Sequence, residues 1–256
     1  MMKKPAIRRY CVASPHITHS IRCLLLSDFH DSDYGEKQQV LVNALREQCP
    51  DVVLMAGDMA DCLRSHERTG QLMEAVACRY PCCYVSGNHE LRTGEADRLK
   101  EWFRSFGVVV LQGQAMILSV RGQRLCVGGL DDRRIGEKEW DRQLKACREQ
   151  RNADCFSLLI SHRPDLIQAY RSSGYELICC GHAHGGQIRI PGLINGLYAP
   201  HQGLFPRYAG GLYDLGSCFM AVSRGLAKNG LPRFGNPPEL AVIEVTPPGI
   251  GGLGAG

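Results

Sequence analysis

Five times along this chain a short apolar run ends abruptly in a carboxylate, an amide or an imidazole, and no other feature narrows its fold as far. Residues 21–26 run into Ser27-Asp28-Phe29-His30, and residues 52–56 into Gly57-Asp58. Residues 82–85 run into Ser86-Gly87-Asn88-His89-Glu90, residues 156–160 into Ser161-His162, and residues 177–180 into Gly181-His182-Ala183-His184. Runs this short and this continuously apolar read as strands buried on both faces. After each of the first three comes a segment read as a helix: Val40, Leu41, Ala44 and Leu45 at helical spacing, then Leu72, Met73, Val76 and Ala77, then residues 94–106. Strand, polar turn and helix in alternation predict βαβ units and a mostly parallel sheet. In such sheets ligands bind at the carboxyl ends of the strands, where every one of these polar groups falls. Ordinary turns and helix caps supply Ser, Thr or Asp; they do not supply Asp-x-His, Gly-Asp, Asn-His and His-x-His in succession.

The remaining segments are expected as follows. Residues 115–120 and 123–127 form a hairpin around Arg121-Gly122, and residues 128–132 form a further loop over the site. A helix spans 137–150, and another opens at Pro164, a residue suited to a first helical turn. An edge strand covers 187–190, a long loop covers 193–215 with Tyr198, His201, Phe205, Tyr208 and Tyr213, and strands at 219–222 and 240–245 close the fold. Residues 1–20 read as a polar lead-in broken by Pro5 and Pro15, and residues 247–256 as a glycine-rich mobile tail. Without an internal boundary, 1–256 reads as one domain.

Composition sets limits rather than a function. With 22% charged and 44% hydrophobic residues the chain is an ordinary globular sequence. A net charge of +4 is too mild to indicate nucleic acid, and no basic aromatic groove is visible. The basic cluster Lys3, Lys4, Arg8 and Arg9 reads as a solvated tail, or as a weak contact with an anionic membrane surface. Cys23, Cys126, Cys179 and Cys180 sit inside apolar runs, where reduced cysteine packs as a small hydrophobe. An odd total of 13 cysteines, with no apolar signal core, leads to the expectation of a reducing, cytoplasmic setting, with peripheral contact at the inner membrane face as its variant. No run reaches the ~18 apolar residues of a membrane span.

The ligand-type side chains at the strand ends are Asp28, His30, Asp58, Asn88, His162, His182 and His184. Oxygen and imidazole donors suit hard or borderline divalent cations. Seven donors are too many for one four-coordinate ion, and two ions sharing a carboxylate fit better. Ions ~3.5–4 Å apart can clamp both oxygens of a phosphoryl transfer. Asp58, alone after its glycine, is the natural bridge. His89, beside Asn88 but not required as a ligand, is the candidate general acid or charge stabiliser. Asp61, three residues after the bridge, can orient His89; a helix cap is the competing role for it. Arg92, Arg133 and Arg163 follow site loops and can grip phosphate oxygens, against a surface role for each.

In this order the five motifs strongly resemble the calcineurin-like metallophosphoesterase superfamily. The extension Gly185-Gly186-Gln187-Ile188, with the late Ser223-Arg224-Gly225-Leu226 and Pro232-Arg233, looks more loosely like its YkuE/YaeI-type phosphodiesterase branch. Ala183 stands where threonine is commoner and Glu90 where aspartate is common; neither change removes a ligand. The resemblance implies a four-layer α-β-β-α sandwich of two mixed sheets flanked by helices. It implies one ion on Asp28, His30, Asp58 and His184, and a second on Asp58, Asn88, His162 and His182. It also implies a bridging hydroxide as nucleophile and His89 as acid or stabiliser, with manganese as the expected metal and iron or zinc as alternatives. The expected substrate is a phosphodiester or pyrophosphate, nucleotide-linked or lipid-bearing, with UDP-2,3-diacylglucosamine of lipid A synthesis as the sharpest version. A catalytically silent interaction scaffold on the same fold is the competing class.

Overall fold

The apolar runs are strands, and they lie in two sheets. The computed structural model describes residues 3–60, 66–92, 94–190, 193–228 and 233–249, so most of the expected tail at 247–256 lies outside the described residues. In chain order the first half comprises β1 (Ala6–Ala13), β2 (Ile21–Leu26), α1 (Gln39–Arg46), β3 (Val52–Ala56), α2 (Glu67–Ala77), β4 (Cys82–Val85), α3 (Ala96–Ser105) and β5 (Val109–Val110). The second half comprises β6 (Gln114–Val120), β7 (Gln123–Leu130), α4 (Glu137–Gln150), β8 (Phe156–Ser161), α5 (Ile167–Arg171) and β9 (Leu177–Cys180). It continues with β10 (Tyr198–Ala199), β11 (Gly203–Leu204), β12 (Gly211–Asp214), β13 (Phe219–Val222) and β14 (Glu239–Thr246).

One sheet has the order β1-β14-β2-β3-β4-β5 and the other β12-β13-β9-β8-β7-β6, while β10 and β11 form a separate hairpin. The strands that carry the site, β2, β3 and β4 in one sheet and β8 and β9 in the other, are parallel to their neighbours in those sets. Their carboxyl ends therefore share an edge. Alternation within each strand explains the continuous apolar runs. Cys23 and Leu25 face a core shared with Val127, Leu158 and Leu177 of the other sheet. Leu24 and Leu26 face the opposite way, into a core with Leu41, Leu72 and Phe103 from α1, α2 and α3. A third core lies between the second sheet and Trp140, Leu144 and Tyr170 of α4 and α5. The layers are thus helix, sheet, sheet, helix, as the family resemblance implies.

Four expectations need correction. The polar lead-in contains β1, an edge strand paired along its whole length with β14, from Ala6 opposite Glu239 to Ala13 opposite Thr246. Its exposed Arg8 and Arg9 made it look like a tail; charge on an edge strand is a normal guard against edge-to-edge pairing. The segment 128–132 is a loop only at its end, because β7 continues to Leu130. Gly128 and Gly129 lie within it because Tyr175 Oη and Leu111 Cβ would stand 2.3 and 2.4 Å from an added Cβ. The long loop 193–215 contains the β10–β11 hairpin and β12, the outer strand of the second sheet. The edge strand expected at 187–190 is reduced to two isolated bridges, Ile188 with Phe234 and Ile190 with Ile194. Twelve described cysteines are free thiols. Among the described residues no helix is long and apolar enough to cross a membrane.

Candidate metal centre

The seven ligand-type residues meet at the shared strand-end edge, and six of them are histidine or aspartate. Three groups of three donors lie with their atoms within 4.8 Å of one another: Asp28, His30 and His184; His30, Asp58 and His89; and Asp58, His162 and His182. One oxygen, Asp58 Oδ2, stands between the groups, 3.6 Å from His30 Nε2 and 3.3 Å from His162 Nε2. Asp28 Oδ1 is 3.4 Å from His184 Nε2. Asn88 Oδ1 is 3.1 Å from His162 Nε2, and His182 Nδ1 approaches the same nitrogen at 3.1 Å.

The surroundings of His162 test whether this set suits a cation. Its Nδ1 lies 2.7 Å from the Ala56 carbonyl, which can only accept, so Nδ1 carries a proton. Its Nε2 then faces a carboxylate oxygen, an amide oxygen and another imidazole nitrogen, all of them electron-pair donors. A metal ion satisfies such a convergence, and the carbonyl on the far nitrogen is the usual support for a ligating imidazole. Without an ion a proton takes that place: burial lowers His162, but the carboxylates of Asp58 and Asp28 override it and lift it to about 10, so a cation bound there would displace the Nε2 proton. Burial pulls His30 down to about 4 and His184 down to about 3, and holds His182 well below the ordinary histidine range. Those three rings are therefore neutral donors at neutral pH. Burial alone would raise Asp58; the facing histidines hold it well below the carboxylate range. Burial raises Asp28, with His162 opposing.

The backbone reaches these positions at a cost. Asp28, His30, Asp58, His182 and His184 all have φ between 47° and 67°, the left-handed region that disfavours side chains by about 1–3 kcal/mol each. Surrounding contacts hold them there. The His182 amide donates to both oxygens of Asp28, at 3.1 and 3.0 Å, and the His89 amide donates to Asp58 Oδ1 at 2.8 Å. Glycine is required where loops touch: a Cβ on Gly87 would lie 2.2 Å from Asp58 Oδ1, and one on Gly225 2.7 Å from Asp28 Cβ. The latter explains Ser223-Arg224-Gly225-Leu226, which crosses directly over Asp28.

His89 lies edge-on to His30, with ring centroids 4.6 Å apart, and shares a donor group with His30 and Asp58. Asp61 falls outside the described residues. Of the three arginines, Arg133 is engaged with Glu137 on the surface and Arg92 is exposed. Arg163 is held by both oxygens of buried Asp132, at 2.6 and 2.7 Å. Three contributors were not visible as site residues in sequence. Glu90 is fully buried and accepts four backbone N–H bonds, from Asp58, Met59, Ala60 and Gly87, at 2.7–3.1 Å. Its adjacency to Asn88-His89 was the available signal. Arg233 places Nη2 3.3 Å from His184 Nδ1, and Asn236 donates to the His184 carbonyl at 2.7 Å. Nothing local marks either for that role, because both arrive from about fifty residues away.

The comparisons with known proteins agree. A family model described as calcineurin-like phosphoesterase matches residues 21–186. The chain is 27% identical over 238 residues to the uncharacterized metallophosphoesterase YkuE of Bacillus subtilis strain 168, covering 90% of this chain and 81% of that one. It is 27% identical over 231 residues to phosphodiesterase YaeI of Escherichia coli K12, covering 88% and 82%. Among solved structures, TT1561 of Thermus thermophilus matches with a TM-score of 0.53 at 13% identity, over 79% of this chain and 88% of that one, a likeness of fold alone. Since the matched span holds every strand-end motif from Asp28 to His184, this chain belongs to the calcineurin-like phosphoesterase family and is a metal-dependent phosphoester hydrolase.

Proposed function

We propose that the chain hydrolyses a phosphodiester or pyrophosphate bond with two divalent cations. Asp28, His30, Asp58 and His184 would hold one, and Asp58, Asn88, His162 and His182 the other. The observation that carries this is the position of Asp58 Oδ2, between His30 Nε2 at 3.6 Å and His162 Nε2 at 3.3 Å. Such a pair supplies Lewis-acid polarisation of phosphoryl oxygens and a hydroxide at neutral pH; manganese is the metal to test first, then iron and zinc. The protein's own part is to orient and to move protons. The His89 amide fixes one oxygen of Asp58, while the His89 ring is placed to protonate a leaving alkoxide or phosphate. Asp61 remains the proposed partner for that ring.

His89→Ala is therefore expected to keep both ions and to lose about 10²–10⁴-fold in kcat, measured by metal analysis beside turnover of a chromogenic phosphodiester. Loss of an ion in this variant would make His89 a ligand instead, a role its distance from His30 and Asp58 also permits.

The sharper substrate is a nucleotide diphosphate linked to an acylated sugar, such as UDP-2,3-diacylglucosamine, met at the inner membrane face. Its support is the exposure of Leu193 (77%), Leu204 (67%), Phe205 (65%) and Phe234 (71%). Two of their segments bond the loop that follows His184, Phe234 N to Gln187 O and Leu197 N to Gly186 O, and Phe205 N bonds Leu197 O in turn. Exposed apolar residues grouped beside a polar centre mark a surface for apolar ligands. Profiling the manganese-loaded enzyme on UDP-sugars with and without acyl chains should show at least about a tenfold gain in kcat/KM from the chains, the value of about two buried methylenes. Equal rates would remove the lipid reading. Full metal occupancy with no turnover of any diester or pyrophosphate would favour the silent scaffold.

A further inference from the structure

His201 is exposed, yet it is held from three directions. Its ring stacks on the metal-loop residue His182, with centroids 5.3 Å apart and planes 21° from parallel. Its Nε2 lies 3.0 Å from Arg163 Nη1, and Arg163 is itself fixed by both oxygens of Asp132. Asp132 is 1% exposed and its amide donates to the Ser86 carbonyl, so the chain of contacts is anchored in the loop that carries Asn88. The turn that bears His201 is fastened separately, since Gln202 bonds the Tyr208 backbone through both its amide oxygen and its amide nitrogen, at 2.9 and 3.0 Å. His201 itself adopts φ 63°. A surface ring gains little stability from such restraint, and ordering it costs conformational entropy and backbone strain.

The chemistry of the pairing fixes what the ring presents. A guanidinium has donors only, so Nε2 of His201 is the acceptor, and the neutral ring carries its proton on Nδ1. One N–H donor is thus ordered on a ring that stacks against His182, a proposed ligand of the second ion, and among the described residues no hydrogen bond occupies it. We propose that His201 is a substrate-positioning residue that donates from Nδ1 to a phosphoryl oxygen of the bound ester, with Asp132 and Arg163 as its tether. The proposal rests on the phosphoester reading of the site and adds a residue outside the metal ligands and outside the motifs from Asp28 to His184. Arg163 accordingly works through His201 rather than by gripping phosphate directly.

The test is the full-length manganese-loaded protein titrated with inorganic phosphate by calorimetry, with metal content measured in the same samples. His201→Ala should retain both ions and bind phosphate about tenfold more weakly, the worth of one hydrogen bond to an anion. On a chromogenic diester its KM should rise by a similar factor while kcat changes less. His201→Gln, which keeps an amide N–H donor, should recover most of the loss, and Arg163→Lys, which cannot hold Asp132 with two parallel bonds, should reproduce it. Unchanged phosphate affinity in His201→Ala would overturn the proposal, as would loss of an ion, which would make the ring mere packing for His182. Failure of the wild-type loaded protein to bind phosphate would overturn the site reading together with it.

Discussion

Asp58→Asn is expected to release both metal ions and to lower turnover at least about a thousandfold, a barrier increase of roughly 4 kcal/mol. The substitution keeps the shape of the side chain and removes its charge. Asp58 Oδ2 is the atom faced by both His30 and His162, and Asp58 and Asp28 are the carboxylates that set the field at the histidines. An amide there cannot neutralise two dications, and its N–H₂ end would point toward a donor. Because Asp58 is 1% exposed, water cannot take over its role. Metal analysis after dialysis is the direct check. A variant that keeps two ions at wild-type affinity would sink the shared-carboxylate reading and, with it, the proposed division of ligands.

Glu90→Gln should lower the melting temperature by roughly 6–12 °C. Glu90 is fully buried. Oε2 accepts from the amides of Asp58 and Gly87, and Oε1 from those of Met59 and Ala60. A Gln amide can accept at one oxygen only and turns two N–H donors toward its own. Each buried donor left without a partner costs about 1–3 kcal/mol. For a chain of this size about 1 kcal/mol corresponds to roughly 2–4 °C, which gives the stated range for about 3 kcal/mol. Burial and the Asp58 charge push the Glu90 carboxyl up to about 8, with His162 and then the amides of Ala60 and Gly87 opposing. Against that upward push, each oxygen accepts two backbone N–H bonds, a geometry built around the carboxylate. The same substitution should weaken metal binding, because these four amides define the turns that present Asp58 and Asn88. A melt within about 2 °C of wild type would show that a protonated carboxyl or an amide serves there equally well, and that Glu90 is not the organiser of the two loops.

The two predictions separate the kinds of information the chain carries. Strands β2, β3, β4, β8 and β9 were legible as apolar runs because a strand covered on both faces has no alternation to disguise it. The clustered polar side chains were legible because each follows such a run within a few residues, and a sheet brings the ends of parallel strands to one edge. Local order along the chain therefore determined the layered fold and the cluster of Asp28, His30, Asp58, Asn88, His162, His182 and His184. It did not determine what lies across space from that cluster. The pairing of β1 with β14 joins residues more than two hundred apart, and the charged face of β1 hides it. Glu90 reads as one more polar residue until the turns at Gly57 and Gly87 fold around it. Arg163 looks like a phosphate clamp until Asp132 takes its Nε and Nη2 and His201 its Nη1. His201 and Arg233 come from segments whose local pattern is that of loops. Backbone periodicity and strand-end position are set by neighbours in sequence, whereas the partner of a buried charge or an ordered surface ring is set only when distant loops close on one another. That difference is why the cluster could be read from the chain, and why the residues packed around it needed the tertiary structure.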